Sequence, residues 1–187
     1  MALPQEKGYT EEDYYNLPEN VRAELIDGQF YNMSSPSRVH QELLMELSAT
    51  ILNYIKAKSS SCRVYPAPFA VKLFNDRTNI VEPDISVICD PKKLTAKGCS
   101  GAPDWIIEIV SPSNASHDYI TKLVMYHNAG VREYWIVDPQ NDEIHVYNMA
   151  DGTFTTKTYS FHDTVKAGVY DDLSIDFSSL NFDILNI

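Results

Sequence analysis

Asp84 and Glu108 are the two acidic residues whose surroundings are hardest to reconcile with a solvated surface. Glu108 is the only charged group in Trp105-Ile106-Ile107-Glu108-Ile109-Val110, a run that otherwise reads as a strand buried on both faces. A carboxylate in that setting must be paired with a cation or bound to a metal, because an isolated buried charge is costly to desolvate. Asp84 follows Pro83 at the entry of a second apolar strand, Val81 to Cys89. Two adjacent strands would bring the pair together, which is how a divalent-cation site is built on a sheet. Asp104 also follows a proline, but it precedes Glu108 by four residues on one strand, roughly 13 Å at the rise of an extended chain. One ion cannot span that gap, so Asp84 is the preferred partner.

The elements that would carry these residues are legible in the pattern. Thr10-Glu11-Glu12-Asp13 caps a short helix that stops at Pro18. Val21 to Ile26 and Gln29 to Met33 flank Asp27-Gly28, a two-residue hairpin signal. Val39, Leu43, Leu47, Ile51, Leu52 and Ile55 recur at helical spacing and predict one long amphipathic helix over 39–58, with His40, Glu42 and Glu46 on its other face. Cys62 to Phe74 suits a bent or edge strand around Pro66 and Pro68. A polar connection from Asp90 to Gly101, with a short helix at Pro91-Lys92-Lys93-Leu94, precedes the Glu108 strand.

Beyond it, Ser116 would cap a helix from His117 to Ala129, stopped at Gly130, with Asp118, Lys122 and Tyr126 along one face. A buried strand at 133–139, its hairpin partner at 143–149 and a further strand at 154–161 complete the order. The fold class is α/β (α+β): a mixed central sheet flanked by helices, with additional β-hairpins, in one domain over 1–187.

Composition narrows the function. At 187 residues the chain can bury one good core, and its net charge of −11 excludes a broad electrostatic grip on a polyanion. Any nucleic-acid role then rests on a metal ion or a local basic patch. No apolar leader follows Met1, and no window approaches the roughly 20 apolar residues of a spanning helix, so a cytoplasmic location without membrane contact is expected. Cys62, Cys89 and Cys99 lack C-x-x-C spacing and read as small hydrophobes in a reducing compartment.

Several segments form a pattern when read in order: Glu24-Leu25-Ile26-Asp27-Gly28, His40-Gln41, Pro83-Asp84, and the stretch from Ala102 to Ser113. Asp118, Lys122 and Tyr126 follow, then Gly130 to Pro139. Taken together, these segments resemble the Uma-two group of restriction-type endonucleases within the PD-(D/E)XK nuclease superfamily. The resemblance covers nearly the whole chain and implies a restriction-endonuclease-like core, a DNA substrate that is a duplex, and Mg²⁺ or Mn²⁺ as cofactor. It places the metal on Asp84, Glu108 and the Ile109 carbonyl, with His40 and Glu24 completing the site. One departure stands out: the superfamily's Glu-x-Lys would put a lysine two residues after Glu108, and Val110 is there. The resemblance moves that lysine to Lys122 on the following helix.

The chemistry implied is hydrolysis of a phosphodiester, with Lys122 orienting water or stabilising charge. A homodimer would suit the cutting of both strands. Each residue also has a plainer role. Asp84 can begin a strand or cap a turn, and Glu108 can form a buried salt bridge. Lys122 can pair with Asp118 on the helix surface, His40 can be a surface histidine, and Glu24 can be structural. Two other functions stay open: a binding module on a nuclease fold, and a hydrolase of small phosphodiesters.

Overall fold

The computed structural model describes residues 8–111 and 118–180. Ser116 and His117 lie outside these residues, as do the side chain of Asp118 and the loop 112–117. Helix α1 (Glu11–Tyr15) begins where the Thr10 amide and hydroxyl both donate to the Asp13 carboxylate. Strands β1 (Ala23–Ile26) and β2 (Gln29–Asn32) form the expected hairpin, with Asp27 and Gly28 at φ 49° and 75°. Positive φ at both central residues is what a type I′ turn requires.

Helix α2 (Arg38–Ala57) starts at Ser37, whose hydroxyl accepts from the His40 amide. Its buried stripe is Val39, His40, Leu43, Leu44, Leu47, Ser48, Ile51 and Ile55. Two expectations are corrected here. Leu52 is 39% exposed, and His40 lies on the buried face at 8% rather than beside Glu42 and Glu46. The reason is angular: 40, 44, 47, 51 and 55 are spaced by three and four, and so share one face of a 3.6-residue turn.

Next come β3 (Arg63–Pro66), β4 (Val71–Lys72) and β5 (Ile85–Ile88). The region expected to be a polar connection instead holds β6 (Leu94–Thr95) and β7 (Gly98–Ser100). With β4 between Phe74 and the edge strand, these make a separate small sheet of order β4-β7-β6. Strand β8 (Trp105–Ile109), helix α3 (Asp118–Ala129) and β9 (Glu133–Asp138) form a β-α-β unit, since β8 and β9 pair in parallel. Strands β10 (Glu143–Asn148) and β11 (Thr155–Tyr159) continue as antiparallel hairpins, and an unanticipated pair, β12 (Thr164–Lys166) and β13 (Ser174–Asp176), follows.

The main sheet has the order β11-β10-β9-β8-β5-β3 and is mixed, parallel only between β8 and β9. Period-two alternation sorts its residues between two cores. Ile85, Val87, Trp105, Ile107, Trp135 and Val137 pack with α2, while Ile106, Tyr134 and Ile136 pack with Met125 and Tyr126 of α3. Each fully buried Leu or Ile contributes about 1.5–3 kcal/mol of transfer free energy. No helix among the described residues is long and apolar enough to cross a membrane.

Cys62 and Cys89, expected as free thiols, are joined in a disulfide; Cys99 is free and buried. Arg63 pairs with Ile88, so the two cysteines lie opposite each other one step beyond the β3–β5 ladder. Their spacing of 27 residues hid a contact that only strand register creates.

Candidate active site

Adjacent strands deliver the two acids. β5 and β8 pair antiparallel with Ile85 opposite Ile107, which sets Asp84, just before β5, beside Glu108 and Ile109. The contacts are reciprocal: the Asp84 amide donates to Glu108 Oε2 at 3.3 Å, and the Ile109 amide donates to Asp84 Oδ2 at 2.8 Å. His40, carried inward by α2, brings Nε2 to 3.1 Å from the same Oδ2. With Nε2 protonated the ring donates to Asp84, and Nδ1 is then left buried without a partner among the described residues.

Lys122 reaches the cluster from the inner face of α3. Its ammonium lies 3.0 Å from Glu108 Oε1 and 3.1 Å from Glu24, and it is only 6% exposed. The surface alternative, a helix-face pair with Asp118, involves a side chain outside the described ones; the ammonium itself is buried against two carboxylates. Tyr126, one turn further along, donates its hydroxyl to Glu108 Oε1 at 2.7 Å. Glu24 is buried in β1 and also accepts from the Glu82 amide at 3.0 Å. Glu82 in turn accepts from Tyr14 Oη and from Arg22, each at 2.7 Å.

The electrostatics follow from crowding. Glu108 is pushed up to about 7: burial opposes its charge, Asp84 and Glu24 add like charge, and the Lys122 ammonium and Tyr126 hydroxyl only partly offset them. Burial works against a charged His40, but the hydrogen bond and charge of Asp84, with Glu108 behind it, lift the imidazole above its ordinary value. Burial holds the Tyr126 phenol far above its usual range, so it stays a donor.

These groups line a cavity of about 90 Å³ that contains His40, Asp84, Glu108 and Lys122, with Ser34 and Ser111 contributing as well. Val110 also lines it, at the position where a strand lysine would stand. Four of the five side chains singled out from sequence line this cavity, and the fifth, Glu24, joins them from outside the lining through its ion pair with Lys122. Asp104 does not join them; it accepts from the Cys89 amide and pairs with Arg132. Tyr126 and the Glu82–Arg22–Tyr14 cluster are neighbours of these side chains whose contacts the sequence did not reveal. The four-residue spacing of Lys122 and Tyr126 was the available signal for the first.

The donor set suits a hard divalent cation. Glu108 Oε2 accepts only the long Asp84 contact, and Asp84 Oδ1 accepts nothing among the described residues. No three Asp, Glu, His or Cys side chains form a complete cage among the described residues. A cation that retains much of its hydration, such as Mg²⁺, could be held by two carboxylates with a backbone carbonyl and waters supplying the remaining oxygens.

Comparison with known proteins gives three likenesses. A family model described as "Putative restriction endonuclease", Uma2, matches residues 11–178. An uncharacterized protein of Synechocystis sp. is 29% identical over 143 residues, covering 75% of this chain and 74% of that protein. The crystal structure of a "putative nuclease belonging to DUF820" from Anabaena variabilis superposes with a TM-score of 0.75 at 22% identity, over 91% of this chain and 96% of that one. That likeness shows the mixed sheet and its flanking helices to be a fold shared with the Anabaena variabilis protein.

Proposed function

The chain belongs to the Uma2 family of restriction-endonuclease type, and from that premise we propose that it is an endonuclease hydrolysing DNA phosphodiester bonds with Mg²⁺ or Mn²⁺. The observation that carries this reading is the convergence of Asp84, Glu108 and Lys122 in one cavity, with the lysine supplied by α3 while Val110 stands just after β8. Asp84, Glu108 and the Ile109 carbonyl would hold the ion. When bound, it supplies water activation and charge neutralisation at phosphorus.

The chain's own groups do the rest. Lys122 keeps a fixed positive charge beside the reacting centre, in a site where water is scarce and charge interactions are strong. Glu24 anchors that ammonium, and His40 orients Asp84 through Oδ2. A duplex substrate and a two-fold dimer, one site per strand, complete the proposal. The Cys62–Cys89 bond is of a kind rare in reducing compartments, so the cysteines lend no support to a cytoplasmic location.

The test is cleavage of supercoiled plasmid in Mg²⁺ and in Mn²⁺ by the parent, Glu108→Gln and Lys122→Ala. Glu108→Gln is expected to be inactive, and Lys122→Ala to lose about 10²- to 10³-fold. If all three folded proteins nick DNA equally, or none does, the reading is wrong.

A second reading has its own observation. Lys122 is clamped between two carboxylates and the chain is strongly acidic, as a non-catalytic binding module on this fold would tolerate. Such a module predicts weak or absent Mn²⁺ binding by calorimetry. The endonuclease predicts binding that Glu108→Gln removes.

A further inference from the structure

Glu108 is held unevenly. Among the described residues its Oε1 receives two donors, Tyr126 Oη at 2.7 Å and Lys122 Nζ at 3.0 Å, while Oε2 receives one long contact from the Asp84 amide. The last torsion of a glutamate is broad and roughly two-fold, so nothing intrinsic to the side chain decides which way its oxygens face. The two donors decide it here. They sit four residues apart on one helix and therefore move as a unit.

The two donors differ in kind. Lys122 brings a charge that neutralises part of the carboxylate, and Glu24 shares that ammonium. Tyr126 brings a single directional O–H and no charge. Its ring is fully enclosed and meets Tyr134 edge-on at 5.0 Å and 76°, and Tyr134 stacks in turn on Tyr147. The hydroxyl therefore cannot follow Glu108 if the carboxylate turns. Asp84 completes the arrangement, with Oδ2 engaged by Ile109 and His40 and Oδ1 facing no donor among the described residues.

We infer that Tyr126 is a positioning residue that fixes the Glu108 carboxylate with Oε2 presented beside Asp84, preforming a two-carboxylate seat for a divalent cation. This rests on the metal-dependent reading above. Hydrogen-bond partners of ligating groups typically govern metal affinity by about 10- to 100-fold. Tyr126 acts through Glu108 and touches no reacting atom.

The experiment is Mn²⁺ titration calorimetry on the full chain, comparing the parent with Tyr126→Phe, Tyr147→Phe and Glu108→Gln. Phenylalanine keeps the ring and its packing and removes only the hydroxyl. Tyr126→Phe is expected to bind Mn²⁺ about 10- to 100-fold more weakly, and Tyr147→Phe to bind like the parent. In plasmid cleavage, Tyr126→Phe should need correspondingly more Mn²⁺ for half-maximal rate, yet approach the parental rate at saturation.

A parent that binds Mn²⁺ beside an equally tight Tyr126→Phe overturns the role of Tyr126 and leaves the metal site standing. A parent that binds no Mn²⁺, or binds it as well after Glu108→Gln, overturns the metal-dependent reading itself. A reporter independent of the folding of Tyr126→Phe is 3-fluorotyrosine at position 126 in the otherwise parental chain. Its ¹⁹F resonance is expected to shift as Mg²⁺ is added, and a resonance unmoved by saturating Mg²⁺ overturns the inference.

Discussion

Lys122 shows how one side chain can be structural and chemical at once. It is buried between Glu24 and Glu108, so removing its charge strands two carboxylates in a poorly solvated place. Lys122→Met should lower stability by about 3–5 kcal/mol, and Glu24→Gln added to it should recover part of that loss. Thermal unfolding of the two variants in EDTA checks both.

Glu133 makes a different case at the other end of β9. Its carboxylate accepts from the Gly168 and Val169 amides and from Trp135 Nε1, at 2.9, 2.7 and 2.7 Å. Burial nevertheless outweighs these donors and raises its pKa above the ordinary carboxylate value. A group whose folded pKa is raised stabilises the protein fully below its unfolded value, near 4.5, and loses that contribution as pH climbs through the folded value. The stability deficit of Glu133→Gln relative to the parent should therefore deepen from pH 7 to pH 4.5. A deficit that shrinks in acid in denaturant titrations would contradict this sign.

At the scale of elements, α2 offers the sharpest contrast. Leu47 and Leu52 read alike in sequence, but Leu47 is fully buried and Leu52 is 39% exposed. Leu47→Ala should cost about 2–5 kcal/mol and Leu52→Ala less than about 1 kcal/mol, measured as shifts of the denaturant midpoint at constant slope. The long periodic elements were legible because many residues repeat one signal: α2, α3, β8 and β9 stand where the pattern put them. The short ones were not. Strands β6 and β7 span two and three residues, and β12 and β13 three each, too few for alternation to register. Within the site, Asp84 and Glu108 stand out because charge is rare in apolar runs, whereas Lys122 is reached only through the family resemblance. The tie between Lys122 and Glu24 joins residues 98 apart in sequence and exists only through tertiary packing. His40 was misplaced on its helix although its spacing to Leu44, Leu47 and Ile51 carried the answer.

For the whole molecule, charge is the governing quantity. A net charge of −11 repels a polyanion at long range, and the cavity lining holds one lysine and no arginine. Two further cations lie nearby, each already ion-paired: Arg38, two residues before His40, with Glu42, and Arg22, whose guanidinium approaches Met33, with Glu82. If the chain acts on duplex DNA, few counterions are released on binding. The slope of log affinity against log salt should be no steeper than about −3, in contrast to the steep dependence of a protein with a basic face. Fluorescence anisotropy of a labelled duplex with Ca²⁺ in place of Mg²⁺ measures it, and a slope near −6 would reveal a basic surface this arrangement does not predict.

The outer strand of the main sheet has its own bearing on how copies of the chain meet. β11 is an edge of the sheet, exposed along most of its length, and no strand pairs with its free side among the described residues. Lys157 lies at its middle, opposite Val146, so it falls on the same side of the sheet as the α2 core yet remains exposed. A cation projecting from the core side of an edge strand would have to be dehydrated if another strand docked there, which discourages open-ended sheet growth. By that physics Lys157 would work against fibrous self-association, and a two-fold pairing of the chain would be favoured at a surface other than this edge.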